Sequence, residues 1–334
     1  MKTLFAVVGT VTSMAVVGSC TAGPAQSTRF SPLVLAQAQR FADAIDVERL
    51  RAHVLALHAA HQTDTPSLPS WGGGKSHTHH HSAQYVVGAL TSLGLEPHVD
   101  HSEVDGLDTD NVYADIVGTT RPFETVLLTA HHDAWMQGGA DDNGSGVAVL
   151  LETARVLHLA PRGRTVRVVA FDREEEGLLG ANRYAADHAS ERVVMIVNLD
   201  CVGFATDAPH SQRAPLGLAL RDVGNFVLAV ADEPASAALA RMAHWSSQAR
   251  PTAPVVGVIT PGDAHYPVDS SFLRSDHAPF WRRGVPGIFL TDTANFRNVN
   301  YHTERDTPAT VNYEFLRGVA SVVIGSIVGF AEEP

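Results

Sequence analysis

Histidine nitrogens and carboxylate oxygens recur through the middle of the chain. His131, His132 and Asp133 stand in TAHHDA, and Asp141 and Asp142 in GADDNGSG. Glu174, Glu175 and Glu176 form a triplet, Asp200 lies in NLDCVG, and His302 in NYHTE. Mixed nitrogen and oxygen donors are what Zn2+ takes when it keeps one position open for water. Taken singly, each stretch has a plain structural explanation. ADDNG closes a turn or caps a helix, a glutamate triplet makes a solvated face, and a lone histidine satisfies a polar contact. What argues for chemistry is where the elements would deliver them together.

Strand and helix patterns alternate from residue 111 onward. Strands are predicted over 111–117, 125–130, 165–171, 193–199, 225–231 and 287–291, from short β-branched or apolar runs. Helices are predicted over 145–159, 178–188, 235–245 and 313–330. Apolar positions at helical spacing also run through 32–61, and a further helix starts near Ser82. Such alternation implies an α/β fold, a three-layer α/β/α sandwich whose central sheet is mostly parallel or mixed. In open sheets of this kind, sites form at the carboxyl ends of the strands. His131, the glutamate triplet and Asp200 each follow a predicted strand directly, and His302 lies some ten residues beyond another. Four strand ends would therefore bring two histidines and several carboxylates to one edge.

Two cations about 3.5–4 Å apart need a bridging carboxylate to offset their repulsion. Asp142 suits this, because flanking glycines let the backbone carry a short side chain close in. Asp133, two residues from His131 in extended chain, points the same way and could accept the other ring N–H of that histidine. The tract His77-Thr78-His79-His80-His81 invites the same reading, but no acid or sulfur ligand stands nearby in sequence, and a polar loop before a helix is the expectation.

At 334 residues, with 45% hydrophobic and 18% charged, the chain is globular in composition and long enough for a large core. A formal charge of -12 argues against nucleic acid, which needs a basic footprint. Met1-Lys2-Thr3 and the apolar run to Val17 read as a secretory signal, too short to span a membrane. Val17-Gly18-Ser19-Cys20 resembles a lipobox, in which Cys20 would be lipidated. An ordinary signal peptide with a chance cysteine is the alternative. Residues 1–20 would be the signal, 21–29 a tether, and 30–334 one catalytic domain. An exported protein, secreted, periplasmic or lipid-anchored, is thus expected. Cys20 and Cys201 are the only cysteines, so no disulfide framework holds it.

The motifs AHHDA, GADDNGSG, EEEGLLG, NLDCVG and NYHTERDTP, with SDHAPF at 275–280 and GVPGIFLTD at 284–292, resemble zinc metallopeptidase family 28, the co-catalytic two-zinc aminopeptidases, and in particular its bacterial secreted leucyl-aminopeptidase-like members. The resemblance runs through residues 125–308 in the family's order. It implies a zinc-exopeptidase, phosphorylase/hydrolase-like fold and two Zn2+ per chain. It implies Asp142 as the bridging ligand, His131 and Asp200 completing one zinc site, and Glu175 and His302 completing the other. Glu174 would be the general base that deprotonates a zinc-activated water, and Tyr301 a donor to the oxyanion. The substrates would be peptides with a free N-terminus, and the protein a monomer.

Departures leave alternatives open. The third acid, Glu176, would allow base and ligand to shift to Glu175 and Glu176, although the spacing to Gly177 and Gly180 favours Glu174 and Glu175. His132 stands where the family often has an aromatic or aliphatic residue, which would allow the ligand to swap from His131 to His132, and Cys201, in place of a common methionine, reads as packed core. Phe272, Trp281 and Phe296 lie in the right region for a substrate pocket. Rival functions on the same scaffold are a carboxypeptidase or dipeptidase, which would need a basic group for the substrate carboxylate, and a one-metal acyltransferase of the glutaminyl-cyclase type. A binding domain that has lost its chemistry is a third.

Overall fold

The computed structural model describes residues 27–64, 79–135, 138–160, 162–214, 218–260 and 271–333. The signal segment 1–20, Cys20, most of the tether, and His77 and Thr78 lie outside the described residues.

Three helices lead: α1 (Pro32–Asp43), α2 (Val47–His61) and α3 (His80–Ser92). The apolar pattern over 32–61 is split at Ala44–Asp46, because the Asp46 side chain accepts the Glu48 N–H and caps a new helix. Eight strands follow: β1 (His98–Val104), β2 (Leu107–Ile116), β3 (Arg121–His131), β4 (Arg164–Phe171), β5 (Arg192–Leu199), β6 (Val227–Asp232), β7 (Val255–Thr260) and β8 (Gly287–Thr291). Between and after them come α4 (Gly144–Leu157), α5 (Leu179–Asp187), α6 (Ser236–Ala249), the short α7 (Ala278–Trp281) and α8 (Tyr313–Glu332).

The strands form one mixed sheet in the order β1-β2-β4-β3-β5-β8-β6-β7. Its middle, β4-β3-β5-β8, is parallel, and β1, β2 and the β6–β8 pairing are antiparallel. Alternation along β3 shows the layering. Val126, Leu128 and Ala130 join a core shared with α1, α2, α4, α6 and α8, while Leu127 joins Tyr184 of α5 and Phe280 of α7 on the opposite face. Both faces are thus covered, as continuous apolar strands require. α8 is apolar and long enough to cross a membrane, but most of it is buried in this core.

Two strands carry little signal of their own. β1 is largely exposed and is ordered by its seven-residue pairing with β2. β7 is short, holds Gly257 and is bounded by Pro254 and Pro261, yet pairs in register with β6.

Register sets the site. His131, the last residue of β3, is level with Phe171, the last of β4. Thr129 pairs with Asn198, two residues before Asp200, and Leu199 pairs with Leu290 on β8. Three loops therefore leave the sheet at the same height.

Candidate metal centre

At that edge, the two oxygens of Asp142 face two different histidines. Oδ1 lies 3.3 Å from His131 Nε2, and Oδ2 lies 3.2 Å from His302 Nε2. Asp200 Oδ1 stands 3.8 Å from the same nitrogen of His131, and Glu175 Oε2 stands 3.1 Å from that of His302. His131, Asp142 and Asp200 form one group of donor atoms, Asp142, Glu175 and His302 a second, and His131, Glu174 and Glu175 a third. Both Nε2 atoms are buried and make no hydrogen bond among the described residues. Two imidazole nitrogens without partners, aimed into a nest of carboxylate oxygens, fit divalent cations with a taste for mixed N/O donors, zinc among them.

The supports come from loops and turns. Asp133 is fully buried, and its carboxylate accepts the backbone N–H groups of Glu174 and Glu175, both at 3.1 Å. Its Oδ1 also lies 3.4 Å from His131 Nδ1, which is 3.2 Å from the Asp133 carbonyl. One side chain thus orients a histidine and positions the glutamate turn. Asp306 does the same for the bridge, accepting the N–H groups of Asp141 and Asp142. Asn143 caps α4 through the Gly146 N–H and donates to the Leu199 carbonyl, tying the bridging loop to β5. The Asp142–Asn143 peptide is cis.

Left-handed backbone recurs at this edge, at Arg173, Cys201 and His302 with φ of 58°, 52° and 57°. Such conformations are disfavoured for residues with a Cβ and persist where surrounding contacts hold them. Gly139, at φ 84°, begins the turn to Asp142, and a Cβ there would lie 2.5 Å from that of Ala134.

The electrostatics are those of crowded acids. Burial, then repulsion from Asp200, Glu175 and Asp276, pushes Glu174 well above the ordinary carboxylate range. Burial and Asp142 raise Glu175 to about 7, against the pull of His302. Burial opposes charge on His302, but Asp142 and Glu175 still raise it to about 10. Positive charge is what this cluster takes up.

Of the other residues singled out in the sequence, His132 turns away: its nitrogens meet Ser82 Oγ at 2.9 Å and the Asp110 carbonyl at 3.0 Å. Glu176 faces Arg173 at 3.2 Å, leaving Glu175 to face His302. Cys201 is buried. The Tyr301 ring stacks on His302 at 3.9 Å, and its hydroxyl accepts a hydrogen bond from Arg274 at 3.0 Å. Phe272 and Phe296 line a cavity with Asp200, Arg274 and Tyr301, whereas Trp281 packs in the core. The histidine tract is not simply a polar loop. His79 is buried with Nδ1 2.6 Å from Asp172, and His81 meets Asp64 at 2.8 Å, so folding supplies acids that sequence spacing did not.

Four contributors were not foreseen. Trp135 stacks on His302 at 5.0 Å, and its backbone N–H donates to Glu175. Asp306 sits inside the NYHTERDTP motif, four residues past His302, which was a usable signal. Asp276, fully buried with neither oxygen hydrogen-bonded among the described residues, lies in SDHAPF and Arg274 directly before it, and the motif by itself assigned neither a role.

Comparisons with known proteins bear on the family and the fold. The profile of Peptidase family M28 matches residues 111–327. The uncharacterized protein YfbL of Escherichia coli K12 is 31% identical over 261 residues, covering 73% of this chain and 78% of that protein. Aminopeptidase YwaD of Bacillus subtilis is 29% identical over 66% of this chain, which spans 45% of that longer protein. The crystal structure of the Legionella pneumophila LapA aminopeptidase superposes with a TM-score of 0.69 at 16% identity, over 96% of this chain and 81% of that one, a likeness of fold.

Proposed function

The chain belongs to peptidase family M28, and from that premise we propose that it is a two-zinc aminopeptidase, an exopeptidase releasing N-terminal residues from peptides. The observation that carries this reading is Asp142, whose two oxygens face His131 and His302 separately and so suit a bridge between two cations. His131 and Asp200 would hold one ion with it, and Glu175 and His302 the other. Zinc bound there supplies Lewis acidity to the scissile carbonyl and lowers the pKa of water toward neutrality.

The chain's own residues do the rest. Glu174, buried and with its backbone N–H anchored on Asp133, accepts the proton of the attacking water and passes it to the leaving amine. Tyr301, its ring stacked on His302, presents its hydroxyl to the developing oxyanion. The acid-rich edge receives the substrate's α-ammonium, which suits an exopeptidase acting at a free N-terminus. That relatives named as aminopeptidases match over 66% and 67% of this chain, against 41% and 45% for those named as glutamate carboxypeptidase 2 homologues, supports this choice over a carboxypeptidase. The N-terminal segment would export the chain, to be secreted, periplasmic or lipid-anchored through Cys20, and the enzyme would act as a monomer.

The test is metal analysis of purified protein with hydrolysis of an aminoacyl-anilide panel, before and after chelation. Two zincs per chain and chelation-sensitive release of free N-terminal residues are expected. Activity that survives complete metal removal refutes the proposal, and one zinc with cyclisation of N-terminal glutamine points to the acyltransferase instead.

A further inference from the structure

The cavity beside the metal centre is lined by Asp200 and by apolar residues that include Leu228, Val230, Phe289 and Phe296. Arg274 is the single cationic residue in its lining among the described residues. The Arg274 side chain is exposed, and its polar partners among the described residues are two neutral oxygens: Asn295 Oδ1, 3.0 Å from Nη1, and the Tyr301 hydroxyl, 3.0 Å from Nη2. A guanidinium has five N–H donors in a planar fork. Two are engaged here, each by a neutral oxygen, while the negative charges of Asp200 and Glu174 act on the guanidinium without a hydrogen bond to it among the described residues. In a chain of net charge -12, an exposed cation in the lining of this cavity, with free N–H donors and only neutral hydrogen-bond partners among the described residues, is poised for an anion brought from outside.

Its reach is set by Tyr301, which stacks on His302 at 3.9 Å and touches Arg274 with its hydroxyl. One aromatic side chain therefore separates Arg274 from the metal ligands, about the span of one substrate residue. We propose that Arg274 recognises a substrate carboxylate lying within one residue of the scissile bond, so that the enzyme prefers short or acidic peptides. This rests on the exopeptidase reading above and specifies its substrate class. The carboxylate is either the C-terminus of a dipeptide or the side chain of an N-terminal glutamate. Both fit the same fork.

The test compares the metal-loaded protein and its Arg274→Gln and Arg274→Glu variants on Leu-Leu, Leu-Leu-amide and Glu-Leu-amide. In the wild type, kcat/KM for one carboxylate-bearing substrate should exceed that for Leu-Leu-amide at least tenfold, mostly through KM. Leu-Leu identifies the C-terminal source and Glu-Leu-amide the side-chain source. Arg274→Gln should bring the ratio near one, and Arg274→Glu should invert it. If Arg274 serves only to hold Tyr301, all three substrates fall together and the ratio stays, which overturns the proposal. So does a wild-type ratio near one. Calorimetric binding of the same peptides to Glu174→Gln, with and without Arg274→Gln, reads the preference independently of turnover. Absence of all hydrolysis therefore counts against the exopeptidase reading, while the binding ratio still decides the role of Arg274.

Discussion

Asp133→Asn changes one oxygen to an NH2 group and removes one charge. Asp133 is fully buried, and its Oδ1 and Oδ2 accept the Glu174 and Glu175 N–H groups at 3.1 Å. Burial works against its ionisation, but His131 above all, with His79 and His132, holds the carboxyl well below its usual range. An asparagine keeps one acceptor and turns a donor toward the other backbone N–H. The lost charge-assisted bond is worth about 1.5–3 kcal/mol, and the buried N–H left without an acceptor costs about 1–3 kcal/mol more. A loss of about 3–5 kcal/mol in unfolding free energy is expected. Because Oδ1 also lies 3.4 Å from His131 Nδ1, and the displaced turn carries Glu175, metal affinity should fall about 10–100-fold. Urea unfolding followed by circular dichroism gives the first quantity, and competition with a chromophoric chelator gives the second. A variant that binds zinc within twofold of wild type would show that Asp133 neither orients His131 nor places Glu175.

Three further outcomes follow from the same geometry. Glu174→Gln should keep both metals and lower kcat about 10²–10⁴-fold, the usual worth of a general base, and near wild-type turnover would remove Glu174 from that role. Asp142→Asn should reduce the zinc stoichiometry below two, as read by metal analysis after dialysis against buffered zinc, because one of its two facing oxygens becomes a donor. Burial lowers His61 and His277 from 6.5 to about 4. Between those values the unfolded chain binds protons that the folded chain does not, so stability rises with pH across this window. It should be lost as pH falls from 6.5 toward 4, by about 3 kcal/mol per histidine. His277→Gln should show a shallower acid limb in thermal unfolding, and an identical limb would refute the assignment.

Much of the architecture follows from local pattern. Apolar runs such as VLLTA in β3 and RTVRVVAF in β4 have no stable place except a sheet covered on both faces, and the ligands stand directly after them. Period-two alternation puts His131 and Asp133 on one side and His132 on the other, so even the histidine turned toward Ser82 follows from chain geometry. The edge strands β1 and β7 were hidden because their order comes from the neighbours they pair with.

Which acid of the triplet faces a histidine is a different matter. Glu174, Glu175 and Glu176 are chemically alike, and their directions depend on a turn between left-handed Arg173 and Leu178, pinned by Asp133 from another strand end. Arg274 and Asp306 likewise gain meaning from partners far away in sequence, Tyr301 for one and Asp141 and Asp142 for the other. Side-chain type and strand period are properties of neighbouring residues and can be read along the chain. The direction of a side chain in a loop is set by hydrogen bonds and charges that meet only after the sheet has brought several loops to one edge.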